Sequence, residues 1–156
     1  MIRAFEERDA EAVAAMVAAL NAEEGYDPDA AADAAAPRDA FLGPRALGVL
    51  LVAGDPPCGY ATLHPTFETE SGSRGGVMGD LYVAPAARRG GVGRALVADG
   101  ARHVREAWRG RFLWWTALPA NAAGRAFYAA LGARSGEDIR AFALTQDAFA
   151  RLADGA

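Results

Sequence analysis

The chain contains no lysine: all 16 of its basic side chains are arginines. That absence excludes a Walker A phosphate loop, which needs a lysine after its last glycine. Cysteine is nearly absent too. Cys58 stands alone, so no disulfide can close within the chain, and a reducing compartment, by default the cytoplasm, is expected. Positive charge is not in excess. A net charge of −4 without any basic run argues against a nucleic-acid partner. No apolar run approaches the length of a membrane span, and the first residues lack a signal-peptide pattern, so no membrane partner is expected.

What is present suits one globular domain over residues 1–156, with 52% apolar and 23% charged residues. Ile2 to Phe5 reads as a first strand. Ala12, Val13, Met16, Val17 and Leu20 then recur at helical spacing, with Asp9 placed as N-cap. Asn21 to Pro37 breaks that pattern and reads as a loop, with or without a short helix. Strands are expected at Leu47 to Ala53, Gly59 to Phe67 and Val77 to Val83, with Pro65 marking a bend or an edge. Val92, Leu96, Ala101, Val104 and Trp108 mark a long helix, with His103 on its solvent side. Phe112 to Ala117 follows as a buried strand carrying Trp114 and Trp115 on opposite faces. A helix opens after Asn121, has Phe127 and Leu131 on its core face and stops at Gly132. Phe142 and Leu144 read as a terminal strand and Ala148 to Leu152 as a last short helix. The order is β-α-(loop or α)-β-β-β-α-β-α-β, an α/β chain with a mixed sheet and helices on both faces.

The stretch Arg88-Arg89-Gly90-Gly91-Val92-Gly93 lies between the strand Leu81-Tyr82-Val83 and the long helix. A strand that enters a helix through glycines presents backbone N–H groups at the positive end of the helix dipole, where the first turn has no intrahelical acceptors. Glycine also lets an anion approach the backbone closely. With Arg94 beside it, the turn reads as a site for a phosphate-bearing ligand. A dinucleotide fingerprint fits badly, because its glycines should follow the first strand of a βαβ repeat.

Two separated motifs resemble the GNAT superfamily of N-acetyltransferases. The first is Arg88-x-x-Gly91-x-Gly93 after Leu81-Tyr82-Val83-x-Pro85. The second is Asn121 followed by Ala126-Phe127-Tyr128-x-x-Leu131-Gly132-Ala133. The resemblance implies a single GNAT-like domain with a mostly antiparallel, twisted sheet. Two parallel strands, the one ending at Val83 and Phe112 to Ala117, would splay apart around acetyl-CoA. The pantetheine arm would pair with Leu81, Tyr82 and Val83. The pyrophosphate would take N–H bonds from Arg89, Gly90, Gly91, Val92, Gly93 and Arg94, with Arg88 also at the cofactor site, and Asn121 would touch the cofactor. A homodimer is a family-level expectation, and no metal is expected. Without lysine, the protein cannot acetylate itself on a side-chain amine.

Tyr128, seven residues after Asn121, matches the tyrosine that acts as general acid in many relatives; the plainer alternative is a core aromatic beside Phe127. Asp80 is the candidate base or a strand anchor. Relatives that acetylate small diamines often carry an acidic pair at positions 79 and 80, whereas this chain has Gly79. Glu23, Glu24, Asp27, Asp29 and Asp33, with Glu68, Glu70 and His64, are candidates for an acceptor pocket that attracts a cationic amine, or simply a solvated acidic loop and a structural histidine. The tail Arg140-x-Phe142-x-Leu144 also resembles the diamine-acetylating branch. The function implied is acetyl transfer from acetyl-CoA to a primary amine of a small, polyamine-like molecule. The alternatives are transfer to a protein or peptide amine, and a catalytically silent acyl-CoA-binding module.

Overall fold

In the computed structural model of the protein, the described residues are 1–27, 33–136 and 145–153. The chain divides into two compact units, Met1–Asn121 and Ala122–Ala156.

The first unit is built on a sheet of five strands in sequence order: β1 (Ile2–Ala4), β2 (Val49–Gly54), β3 (Pro57–Glu68), β4 (Ser73–Val83) and β5 (Leu113–Trp114). All neighbours are antiparallel except β4 and β5. Apolar residues occupy both parities of β2 and β3, because alternate side chains of a strand serve opposite faces. Leu50, Val52, Tyr60 and Tyr82 form one core with Phe5 and with Ala10, Val13 and Met16 of helix α1 (Ala10–Glu24). Phe41, from the short helix α2 (Ala35–Phe41), packs against the same core. Leu51, Ala53, Ala61 and Leu63 form the other core with Leu96 and Val104 of helix α3 (Val92–Ala107). Each aliphatic side chain buried this way contributes about 1.5–3 kcal/mol, so both faces need their helix.

Several expectations are corrected by this architecture. The first helix does not stop at Leu20; it runs to Glu24 and ends where Gly25 turns left-handed at φ 81°. Ala22, Glu23 and Glu24, all strong helix formers, continue the helix there although its apolar periodicity has ended. Asp9 does occupy the N-cap position, but its carboxylate makes no cap bond to α1. It accepts instead from both guanidinium ends of Arg3, at 2.6 and 2.8 Å, and from the Glu6 N–H at 2.9 Å. On α3 the buried line is Leu96, Gly100 and Val104, with Ala101 exposed. His103 is half-buried, edge-on to Trp108 at 5.0 Å between ring centroids, rather than on the solvent side.

Pro65 sits inside β3, opposite Gly76. It fits because β2 ends opposite Leu63: beyond that point β3 has an open edge, where a missing N–H costs no ladder bond. The strand expected over Phe112 to Ala117 is reduced to Leu113–Trp114, which pairs with Gly76 and Val77 only. Trp114 is 45% exposed, so this is not a buried strand. The parallel pair therefore lasts two rungs, and β4 from Met78 to Val83 has no strand on that edge among the described residues.

The second unit contains helix α4 (Ala122–Ala130) and helix α5 (Gln146–Ala153). Phe127 and Leu131 are half-buried, and Gly132 ends the first helix in a left-handed turn at φ 85°. Arg140 and the expected strand at Phe142 and Leu144 lie outside the described residues, as does Asp29.

Candidate active site

The pairing of β3 with β4 contains an irregularity that decides which side chains meet. Ala61 stands opposite Leu81 and Leu63 opposite Met78, so three steps on β4 match two on β3. Gly79 and Asp80 consequently share a single partner, Thr62. Such a bulge re-aims side chains and recurs beside active sites. The Asp80 N–H donates to the Thr62 hydroxyl oxygen at 2.9 Å, and that hydroxyl donates to Asp80 Oδ2 at 3.4 Å. A Cβ at position 79 would lie 2.8 Å from Thr62 Oγ1 and 3.7 Å from His64 Nε2. Thr62 and His64 thus occupy the space that a second acidic side chain would need.

Burial pushes the Asp80 carboxyl above the ordinary carboxylate range, against the downward pull of the Thr62 hydrogen bond and the charge of His64. Tyr60, Thr62 and His64 alternate along β3 and share a face. His64 is half-buried against Phe41, 5.6 Å between centroids. Glu24, in the last turn of α1, is raised by burial, then by Asp80 and Glu23. The Tyr60 phenol is raised strongly, first by burial and then by the fields of Asp80 and Glu24. Glu24, Tyr60, Thr62, His64 and Asp80 form one polar group on the α1 side of the sheet. Sequence reasoning missed Tyr60 and Thr62, although the alternation Tyr60-x-Thr62-x-His64 within an apolar strand was a visible signal.

Next to this group runs the open edge of β4. The Ala84 N–H donates back to Cys58 O at 2.9 Å. Because successive N–H groups of a strand alternate in direction, the Val83 N–H points the other way, to the unpaired edge. After Val83 the chain passes a short 3₁₀ turn, Pro85–Ala87, and enters α3 with Arg89 at φ 64° and Gly91, the N-cap, at φ 82°. Only glycine holds that second conformation without strain. No acceptor for the N–H groups of Arg89, Gly90, Gly91, Val92 or Gly93 is found among the described residues. The first turn of α3 carries no acidic residue. Five unsatisfied donors at a helix start are suited to an oxyanion, phosphate included.

Arg88 turns away from this cradle. Its Nε donates to the Val83 carbonyl at 2.8 Å, its guanidinium lies 5.5 Å from the Tyr82 ring centroid, and it pairs with Glu23 at 2.5 Å. Asp33 is also occupied: its carboxylate accepts the N–H groups of Ala35 and Ala36 and so starts α2. Asp27 is exposed. Glu68, bonded by the Ser71 hydroxyl, and Glu70 lie at the β3–β4 hairpin tip. Six steps of extended strand separate Glu68 from Thr62, about 20 Å, so the fold does not bring Glu68 to Asp80. Leu81 and Tyr82 lie on β4, with the Tyr82 ring in the core. Asn121 immediately precedes α4, and Tyr128 lies on it, half-buried, its ring 5.3 Å from that of Phe127. No group of three or more potential metal ligands occurs among the described residues, and none of their helices is long and apolar enough to cross a membrane.

The sequence model of the acetyltransferase (GNAT) family matches residues 13–133, across the boundary between the two units. The chain belongs to that family. It is thus an N-acetyltransferase by family, and GNAT enzymes generally use acetyl-CoA as acyl donor. The fold agrees with solved structures. An integron cassette protein from the mobile metagenome of V. cholerae superposes with a TM-score of 0.78 at 21% identity, over 99% of this chain and 98% of that one. An aminoglycoside acetyltransferase from an uncultured soil metagenomic sample gives 0.76 at 16% identity, over 94% and 96%. A ribosomal-protein-alanine N-acetyltransferase from Brucella melitensis biovar Abortus 2308 gives 0.68 at 20% identity, over 94% and 98%. No curated protein sequence matches the chain.

Proposed function

We propose that this GNAT enzyme transfers an acetyl group from acetyl-CoA directly to the primary amine of a small cationic molecule. The observation that carries this reading is the juxtaposition, on β4, of a half-buried carboxyl and an open strand edge. Asp80 lies three residues, about 10 Å, from the outward-pointing N–H of Val83, and the anion cradle follows at once. The resident chemistry of the donor is an activated thioester carbonyl. The N–H groups from Arg89 to Gly93, with Arg94, would hold its pyrophosphate. The edge from Leu81 to Val83 would pair with its pantetheine arm, and Asn121 would contact it. Arg88 contributes by fixing the end of β4 through the Val83 carbonyl.

In this reading Asp80 accepts the proton of the incoming ammonium; its raised affinity for protons makes it a better base at working pH than an exposed aspartate. The Val83 N–H supplies a fixed donor for the carbonyl oxygen as negative charge develops there. Tyr128 returns a proton to the departing sulfur, since phenol and thiol have comparable acidities of about 10 and about 8.5. A cationic acceptor is favoured by Glu24 and Asp80, neither of which has an ion-pair partner among the described residues. An aminoglycoside acetyltransferase with the same fold lends support to a polyamine-like acceptor.

Thiol release from acetyl-CoA, measured across diamines, an aminoglycoside and N-terminal peptides, tests the proposal. Turnover on the small amines is expected. Turnover confined to peptides, or tight cofactor binding with no turnover on any acceptor, overturns it. In the same assay, Tyr128→Phe should cut turnover about tenfold or more without changing acetyl-CoA affinity, and an unchanged rate removes Tyr128 as the acid.

A further inference from the structure

Tyr60 belongs to the polar group, yet the chemistry above does not use it. It is 0% exposed, and its hydroxyl is buried with no hydrogen-bond partner among the described residues. An unpaired buried hydroxyl costs stability, and native folds keep few of them. Thr62, two residues along the same strand face, is fully engaged with Asp80. Tyr60 stands opposite Tyr82, whose ring lies 6.3 Å away and is itself covered by Arg88. The fields that reach the phenol come from Asp80 and Glu24. Neither carboxyl has an ion-pair partner among the described residues, His64 reaching Asp80 only through its field, and the Tyr60 hydroxyl oxygen has no donor. What they lack in common is a positively charged N–H group.

We infer that the Tyr60 hydroxyl is a specificity-determining contact for the acceptor, receiving an N–H of its ammonium group between Asp80 and Glu24. This rests on the acetyl-transfer reading for its setting, but it assigns the acceptor's recognition to a β3 residue. Asp80 and Glu24 supply the opposite charge, which favours a cation over a neutral amine or alcohol. The hydroxyl is out of water's reach in the ligand-free protein, so binding must displace a side chain. Glu24, exposed at the last turn of α1, has room to turn. An oxygen with no bond to lose gains one only when the ammonium arrives, which makes it discriminate more sharply than an already bonded group.

The test compares the full-length protein with Tyr60→Phe, using 1,4-diaminobutane, spermidine and sisomicin as probes and 1,4-butanediol as the uncharged control. In the free protein, Tyr60→Phe should melt at or above the wild type, by up to about 2–4 °C, because it removes an unpaired polar atom. A cationic probe should raise the melting temperature of the wild type, 1,4-butanediol should not, and Tyr60→Phe should lose most of the rise. In turnover, KM for the amine should increase about tenfold or more while KM for acetyl-CoA stays within about twofold. The inference is overturned if the variant responds to the amines as the wild type does. It is equally overturned if free Tyr60→Phe melts several degrees lower, or if no cationic probe shifts the wild type. Turnover with a Tyr60-independent KM would leave acetyl transfer standing and remove this contact. Tyr60-dependent amine binding without turnover would do the reverse.

Discussion

Asp80 is where a single residue's environment has the most measurable consequence. Burial raises its pKa, while the Thr62 hydroxyl and His64 lower it; burial is the larger effect. A carboxyl shifted upward holds its proton to a higher pH than a free aspartate, whose reference value is about 3.9. Its basic form is therefore lost as pH falls through the raised value, and the acid limb of kcat/KM should lie above the usual carboxylate range. Asp80→Asn should lower kcat by about a hundredfold and abolish that limb in a pH–rate profile. A limb that persists in the variant would assign the titration elsewhere. Asp80 was legible in the sequence as a candidate because it precedes the strand end that enters the glycine turn. Its Thr62 partner was not, since that contact depends on a bulge between two strands. Nor was the reason for Gly79, which is the space taken by Thr62 and His64.

At the scale of elements, the β4–α3 connection was the most readable part of the chain. Its requirements are local: a strand end, a residue able to hold φ near 82°, and a helix whose first N–H groups stay unsatisfied. Gly91→Val would force a β-branched residue into a left-handed conformation, a strain of order 1–3 kcal/mol, and would place a side chain beside the donors. Titration with CoA should show binding lost while the far-UV circular dichroism keeps its wild-type form; retained CoA affinity would move the phosphate site away from this turn. Elements whose definition is not local were read less well. The Phe112 to Ala117 run has strand-like composition, yet the number of rungs it forms depends on how far β4 stays beside it. The end of α1 was missed because Ala22, Glu23 and Glu24 hold helix by propensity, with no apolar periodicity to mark it.

For the whole molecule, the tie between β1 and the start of α1 governs resistance to acid. Asp9 is 2% exposed and accepts a bidentate bond from Arg3. The Arg3 hydrogen bonds, more than any other influence, hold its carboxyl below the ordinary range, outweighing the opposing effect of burial. Such a lowered pKa contributes stability that is complete above the unfolded value of about 3.9 and disappears as pH falls through the folded one. Asp9→Ala should cost about 2–3 kcal/mol in urea unfolding at neutral pH. The gap to the wild type should narrow as pH falls below the ordinary carboxylate range and the wild-type carboxylate takes up its proton. A gap independent of pH would mean that packing, rather than the ion pair, sets the loss.

The sequence alone determined the order of strands and helices through Leu131, the short helix α2 apart, the glycine turns at Gly91 and Gly132, and the family motifs they sit in. These follow from torsional preference and from side-chain periodicity within a few residues. Only the tertiary structure decided that Gly79 and Asp80 share Thr62, that Glu24 joins Asp80 while Glu23 is drawn to Arg88, and that extended strand holds Glu68 about 20 Å from Thr62. It also left the Tyr60 hydroxyl buried without a partner. Each of these depends on register between strands or on where one element ends against another. Those relations connect residues far apart in the chain, and no local preference encodes them.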